Sequence, residues 1–140
     1  MDLSEPLRTA IVDDATIAAL LPIYAGSKTV FTRRPVPDNA AFPIVVISPD
    51  IAITDQDGID DNRPVIIRDV AVYGRNDAAS YRAVEAIAYE IRDLFHRRRQ
   101  SLTVLGWDVV DVVALGPRPA PTDDEQTVGR VVELTVRLAR

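Results

Sequence analysis

The sequence has 140 residues, of which 47% are hydrophobic and 26% are charged, as is typical of one soluble globular domain spanning 1–140. The absence of cysteine excludes disulfides and thiolate metal sites, and a single histidine argues against a histidine-rich metal site. The net charge of −5 argues against a general attraction to DNA. No apolar run approaches the roughly 20 residues that a membrane helix needs, and the acidic N-terminal residues lack the features of a signal peptide.

Two short helices are predicted between Leu3 and Leu21. Their apolar residues recur at helical spacing, and they are Leu3, Leu7, Ile11, Ile17, Leu20 and Leu21. Asp2 and Glu5 have the spacing of a capping box at the start of the first helix. The pair Asp13–Asp14 separates the two helices and can cap the second, which Pro22 ends.

Three strands are predicted next, at Lys28–Arg33, Phe42–Ser48 and Val65–Tyr73. In the third strand, side chains alternate between two faces: Ile66, Val70 and Val72 on one, Asp69 and Tyr73 on the other. The acidic segment Ile51–Asn62, with Gly58 at its turn, is predicted to be a hairpin arm or a mobile loop.

The clearest helix runs from a cap at Asn76 or Asp77 to Phe95. Its apolar stripe follows helical spacing and consists of Tyr81, Val84, Ile87, Ala88, Ile91, Leu94 and Phe95. Two strands follow, at Trp107–Leu115 and Val128–Leu138, and the second alternates between apolar and polar side chains almost throughout.

The connection between these last two strands is predicted to be a stiff loop, because Pro117, Pro119 and Pro121 punctuate it before the acidic residues 123–125. The order of two helices, three strands, a long helix and two strands predicts an α+β fold. We expect a mainly antiparallel sheet of about five strands, with the long helix and the N-terminal helix pair packed on one face.

The acidic segment faintly resembles a calcium-binding loop, but its spacing fails. With Gly58 at the turn, the first and twelfth ligand positions fall on Ile53 and Pro64, whose side chains offer no oxygen. The segment is therefore either a solvated hairpin tip or an acidic arm that contacts a neighbouring subunit, through Asp55, Asp57, Asp60 and Asp61.

His96 precedes three consecutive arginines, Arg97, Arg98 and Arg99. Cations at a helix C-terminus complement the helix macrodipole and the unpaired carbonyl groups. Three arginines exceed what that requires, so an ionic contact with an acidic partner, or binding of phosphate, stays open.

Little in the sequence supports catalysis. His96 lies among arginines rather than beside a nucleophile, the serines lack the glycine pattern of a nucleophile elbow, and the isolated glycines form no phosphate loop. We therefore expect no catalytic residue, no metal and no cofactor. The aromatic residues Tyr73 and Tyr81 are predicted to lie in the core, and Trp107 in the core or an interface.

Four segments follow one another in a characteristic order. They are the helix pair up to Leu20-Leu21-Pro22, the stretch Arg34–Pro37 followed by Phe42–Ser48, the strand Val70–Gly74 leading into the alanine-rich helix Asp77–Phe95, and the last strand Gly129–Val136. Together they resemble the tail-completion (tail-terminator) family of long-tailed bacteriophages and prophages, which also occurs in gene-transfer agents. Residues 51–62 and 117–125 match least.

This resemblance implies a virion subunit of a hexameric ring that ends growth of the tail tube and joins the tail to the head connector. The implied partners are further copies of the chain, the tail-tube protein and the head-completion protein, and the implied place of assembly is the host bacterial cytoplasm. DNA would pass through the lumen without specific binding. The residues expected to contact neighbouring subunits or partners are Asp55, Asp57, Asp60, Asp61, Arg97, Arg98, Arg99, Arg118, Asp123 and Asp124.

Two alternatives stay open at this point. A head-completion (stopper) protein or a tail-tube protein of the neck belongs to the same structural class, but a tube protein would polymerise into long tubes. An anion- or nucleic-acid-binding module would use the arginine cluster and bind DNA with a steep salt dependence, which the acidic net charge disfavours.

Overall fold

A computed structural model describes residues 2–32, 36–37, 39–49, 51–57, 62–120, 122 and 125–140, with the backbone alone at 52–57 and 62. Within these residues, three α-helices pack on one face of a six-stranded sheet. The predicted α+β fold, with a long helix and an N-terminal helix pair on a mainly antiparallel sheet, is confirmed. A two-residue strand at one edge brings the strand number to six.

The helices are α1 (Ser4–Asp13), α2 (Ala15–Leu20) and α3 (Ala78–Phe95). Two of the predicted caps are confirmed. Asp14 Oδ1 accepts a hydrogen bond from Ile17 N at 3.0 Å, and Asp77 Oδ1 accepts one from Ser80 N at 2.8 Å. Each carboxylate satisfies a backbone N–H that has no partner inside its helix, which fixes where α2 and α3 begin.

The capping box predicted for the first helix is wrong. Leu3 occupies the cap position of α1 and makes no side-chain cap hydrogen bond. Asp2 lies one residue too early for that role, and its Oδ1 atom accepts a hydrogen bond from Ser4 N at 2.9 Å instead.

The strands are β1 (Ile23–Tyr24), β2 (Ser27–Lys28), β3 (Val30–Phe31), β4 (Ile44–Ile47), β5 (Ala52–Asp57), β6 (Asn62–Arg75), β7 (Asp108–Pro119) and β8 (Thr127–Ala139). In the main sheet the order is β3-β4-β6-β8-β7, and β1 and β2 form a separate hairpin. β4 and β5 share one side of β6: β5 pairs with its first half and β4 with its second half. Only the β3–β4 pair is parallel among these described strands.

The strand predicted at Lys28–Arg33 is divided in two. Ala25 and Gly26 adopt positive φ angles (51° and 81°), so the chain reverses there and Lys28 belongs to the small hairpin. The chain turns towards β4 at Thr29, which is buried. Thr29 Oγ1 donates a hydrogen bond to Pro43 O, just before β4, at 2.8 Å. Only the short strand β3 then joins the main sheet.

The core lies between the helices and alternate residues of β6, β7 and β8. Ile66, Val70 and Val72 are buried on this face, as predicted. The same alternation places Arg68 among them, and this arginine is 2% exposed. A second apolar cluster on the opposite face contains Ile44 and Val46 and packs against Tyr73.

The loop predicted from its prolines is partly strand. Pro117 and Pro119 lie in β7, which is an edge strand of the sheet and therefore needs no N–H from these residues. Register shifts between Val109 and Asp111 and between Leu115 and Arg118 mark irregular pairing with β8. Prolines and irregularities of this kind protect an edge from pairing with another chain. Pro121 lies outside the described residues.

Tyr81 was predicted to lie in the core, but its side chain is 38% exposed on the surface of α3. Its ring lies beneath the guanidinium of Arg130, at 5.0 Å from the ring centroid, and Arg130 Nε donates a hydrogen bond to Glu85 Oε1 at 2.5 Å. Trp107 is half-buried against the core, as predicted, and the guanidinium of Arg140 lies 5.2 Å from its ring centroid.

Candidate assembly surfaces

The acidic segment forms a hairpin arm on the long central strand. Its strands pair from Ala52 with Ile67 to Asp57 with Asn62, which confirms the hairpin. Pairing between β6 and β8 begins only at Val65, so the distal part of the hairpin projects beyond the β8 ladder. Of the predicted contact residues, Asp55 and Asp57 lie on β5, and their side chains are not described; Asp60 and Asp61 lie outside the described residues.

The arginine cluster follows the C-terminus of α3 and lies against the start of β7. Arg97 N donates a hydrogen bond to Val112 O at 2.8 Å, and Ala114 N donates one to His96 Nδ1 at 3.1 Å. Arg97 Nη1 also contacts Asp111 Oδ2 at 2.8 Å. Arg97 is therefore fixed on the outer side of the edge strand β7, where it occupies part of the free edge.

Arg98 and Arg99 differ from Arg97 because they remain available to a partner. Both side chains are exposed, and neither forms an ion pair with any residue that the structure describes. A short 3₁₀ turn, Arg99–Ser101, follows directly and orders the backbone at this point.

The arm and the arginine cluster lie at the same end of the sheet but at opposite edges. At this end the strand order is β5-β6-β8-β7, with Val65 opposite Arg137 and Arg137 opposite Asp111. Three strand spacings, roughly 14 Å, therefore separate the acidic strand from the edge that carries the arginines. The strand with the acidic sequence and the arginine cluster therefore lie at opposite edges of the sheet.

Arg118 is part of a charged group on the sheet face opposite the three described α-helices. It lies on β7, and its Nη2 atom is 3.8 Å from Asp69 Oδ1 while its Nη1 atom is 3.6 Å from Glu133 Oε2. Asp69 and Glu133 are directly opposite each other on β6 and β8. Sequence reasoning placed Asp69 on this face but missed its two partners, because the strand register that joins them is not visible in the sequence. Asp123 and Asp124 lie outside the described residues.

A groove of about 780 Å³ crosses this face, and Asp69 and Arg118 line it. Its floor contains three residues in one register row, Val46, Ala71 and Val131. Asp69 Oδ1 is buried and accepts no hydrogen bond from the described residues, and the guanidinium of Arg118 is too distant to donate one.

Burial raises the pKa of Asp69 above its ordinary value of 3.8, against the opposing effect of the positive charge on Arg118. At pH values between the ordinary and the raised pKa, the Asp69 carboxyl is protonated in the folded chain and ionised in the unfolded chain. Folding stability therefore falls as the pH rises through this range, and the loss persists at neutral pH.

Asp69→Asn is accordingly expected to raise Tm at pH 7 by a few degrees, because it removes a poorly solvated charge. The advantage should shrink as the pH falls below 3.8, where the wild-type carboxyl is protonated in both states. Calorimetry from pH 3 to pH 8 measures this, with the exposed Asp93→Asn as the control. An equal or lower Tm for Asp69→Asn at pH 7 would contradict the expected destabilising role.

The described residues contain no group of three or more histidine, cysteine, aspartate or glutamate side chains arranged to hold a metal ion. In the same part of the chain, no helix is long and apolar enough to cross a membrane. The features that the geometry does show are the hairpin arm at one edge, the arginine cluster at the other edge, and one grooved sheet face.

No protein-family model matches the chain, and no curated protein matches its sequence. Among solved structures, the chain is similar to one from the virion of a native gene transfer agent (GTA) particle. The TM-score is 0.78, and the match covers 99% of this chain and 96% of that chain at 18% sequence identity. The two chains share one fold.

Proposed function

We propose that the chain is a structural virion protein that forms a hexameric ring at the head-proximal end of a phage-like tail. The observation that carries the proposal is the fold shared, nearly end to end, with a chain of a gene transfer agent virion. The resemblance of its segments to the tail-completion family adds the specific role. The ring ends growth of the tail tube and joins the tail to the head connector, and the protein has no enzymatic activity.

The positions of the two charged edges support a ring. In a head-to-tail ring, each subunit presents one surface to the neighbour on its left and a different surface to the neighbour on its right. The acidic arm at the β5 edge and Arg98 with Arg99 at the β7 edge meet this requirement, because they carry opposite charge at the same end of the sheet. Complementary charge favours the correct register between subunits more than it adds affinity.

The acidic composition supports passage of DNA through such a ring without specific binding. The net charge of −5 per chain adds up around the ring, and a negative lumen repels the phosphate backbone. The partners in this proposal are the tail-tube protein on one side and the head-completion protein on the other, in a particle assembled in the host bacterial cytoplasm.

The experiment that tests this function is negative-stain imaging of the purified chain, alone and with candidate tail-tube proteins from the same genome. Closed sixfold rings, or caps on tube ends with tube length arrested, are expected. Long tubes formed by this chain alone would identify a tube protein instead. A monomer that leaves tubes unaffected and binds DNA with a steep salt dependence would favour the anion-binding alternative.

Charge reversal at the arginine edge is expected to prevent ring closure. Arg98→Glu with Arg99→Glu replaces attraction to the arm of the next subunit with repulsion, at a cost of about 1 kcal/mol or more at each interface of the ring. Rings or tube caps counted by imaging should fall at least about tenfold. Combining these changes with Asp55→Arg and Asp57→Arg should restore part of the count.

Arg82→Glu is the control, because Arg82 is an exposed arginine near the start of α3, whereas Arg98 and Arg99 follow its C-terminus. It should leave the ring count unchanged at the same ionic strength. If the control lowers the count as much as the double reversal does, overall charge rather than the arginine edge governs assembly.

A further inference from the structure

The groove on the helix-free face of the sheet has the features of a binding site that the described chain leaves unfilled. It crosses four strands along the row that joins Val46, Ala71, Val131 and Arg118. Three strand spacings correspond to roughly 14 Å, which is the length of about four residues of an extended chain. The groove is thus long enough for a short peptide segment but small for a folded element.

The chemistry of the groove favours a cation. Asp69 and Arg118 line the groove, and Glu133 lies beside it, directly opposite Asp69 on β8. Arg118 carries the only guanidinium near these two carboxylates among the described residues. Asp69 Oδ1 receives no hydrogen bond from the part of the chain that the structure describes, although it is shielded from water. A buried acceptor without a donor is costly, and a lysine or arginine side chain would supply one together with the balancing charge. The excess of negative charge disfavours phosphate or nucleic acid.

The apolar floor of the groove determines which side chains can flank the basic residue of a ligand. Ala71 and Val131 are small or β-branched, and they lie side by side with Val46 to form a shallow apolar strip. Such a strip favours apolar side chains on either side of a basic residue, because they bury apolar area against it. The fitting ligand is therefore an extended segment with one basic residue flanked by apolar residues.

The position of the groove indicates which chain supplies this segment. Contacts between copies in the proposed ring use the two edges of the sheet, whereas the groove opens on its face. In that ring, Arg98 and Arg99 of each subunit contact the arm of the neighbouring subunit. The face remains open to a chain that is not part of the ring.

We propose that this groove binds a basic, extended segment of a different virion protein stacked on the ring, with a lysine or arginine of that segment paired to Asp69 and Glu133. The identity of the partner as a component of the same particle rests on the proposed function. The binding chemistry of the groove does not, so the two can be tested separately.

The binding chemistry is tested on the isolated chain with the blocked tetrapeptide acetyl-Ala-Ala-Arg-Ala-amide, followed by backbone amide NMR shifts. Saturable shifts are expected at Asp69, Ala71 and Val131. The same peptide with citrulline, a neutral isostere of arginine, should bind about tenfold or more weakly. Equal binding of both peptides, or shifts confined to the acidic arm, would overturn the proposal.

Variants sharpen this test. Asp69→Asn should abolish the preference for arginine over citrulline, and Arg118→Gln should strengthen it by removing the resident cation. Asp93→Asn removes an exposed carboxylate from α3 and should leave the preference unchanged. An arginine preference that survives Asp69→Asn would overturn the assigned role of this carboxylate.

The source of the segment is tested in assembled particles with a photoreactive residue at the rim of the groove, Thr32→p-benzoylphenylalanine. The expected adduct joins the chain to a basic segment of a different virion protein, read by mass spectrometry. An adduct to a second copy of this chain, or no adduct in particles that contain it, would overturn the assigned partner. Particles that lack the chain altogether would contradict the proposed function, while the peptide titration would still decide the binding chemistry.

Discussion

Arg68→Ala is expected to lower the free energy of unfolding by about 3 kcal/mol. The side chain is 2% exposed and lies on the core face of β6. Its Nε atom donates a hydrogen bond to Ser48 O at 2.8 Å, and its Nη2 atom donates one to Ser4 Oγ at 2.9 Å and a further one to Ser48 O. Its Nη1 atom is 3.3 Å from Asp2 Oδ1. One guanidinium thus ties β6 to the end of β4 and to the start of α1.

Two further variants separate the causes of this loss. Arg68→Met keeps most of the buried volume but none of the hydrogen bonds, so it should cost about half as much. Arg137→Ala removes an exposed arginine from β8 and should change stability by less than about 0.5 kcal/mol. Urea unfolding with an unchanged m value measures all three. A loss for Arg68→Ala no larger than that for Arg137→Ala would show that the buried network is not stabilising.

Gly74→Ala is expected to cost about 2 kcal/mol, because a Cβ atom at this position would lie 2.6 Å from Cγ2 of Val84. Val84 is fully buried on α3, so it has little room to move away. Here α3 approaches β6 so closely that no side chain fits between them. The penalty therefore measures how rigidly the helix is held against the sheet.

Val84→Ala removes the clashing methyl group and provides the matched rescue. Alone it should also destabilise, because it leaves a cavity in the core. In the double variant the two effects should partly cancel, so that the combined loss is at least about 1 kcal/mol smaller than the sum of the single losses. Additive losses in denaturant unfolding would show that the Gly74–Val84 approach does not limit packing.

Helices and strands were predictable where a repeating apolar pattern was bounded by a residue that caps or ends the element. The apolar stripe of α3 and the carboxylate of Asp77 together located that helix, and the alternation of β8 located the last strand. The prolines of β7 misled for a physical reason. Proline is tolerated where one side of a strand is unpaired, as along the edge strand β7 and at Pro64, which β8 does not reach. The sequence alone does not reveal where a strand is unpaired.

Contacts between residues distant in sequence were not predictable. Arg68 was missed because its partners Asp2 and Ser4 lie more than sixty positions away. The pairing of Asp69 with Glu133 depends on the register of β6 against β8, which no local pattern fixes. The arginine cluster was recognised from the sequence, but only the structure distinguishes Arg97, which is held against β7, from Arg98 and Arg99, which form no ion pair with the described residues.

The long strand β6 has a mechanical consequence. The arm continues directly into β6, which is joined to β8 by eleven consecutive residue pairs from Val65–Arg137 to Arg75–Thr127. A pull on the arm along the strand loads this ladder in shear, so that its hydrogen bonds must yield together. A pull across the strand would instead peel them apart one after another. Tension applied through the arm therefore reaches the middle of the sheet in the direction in which the sheet resists best.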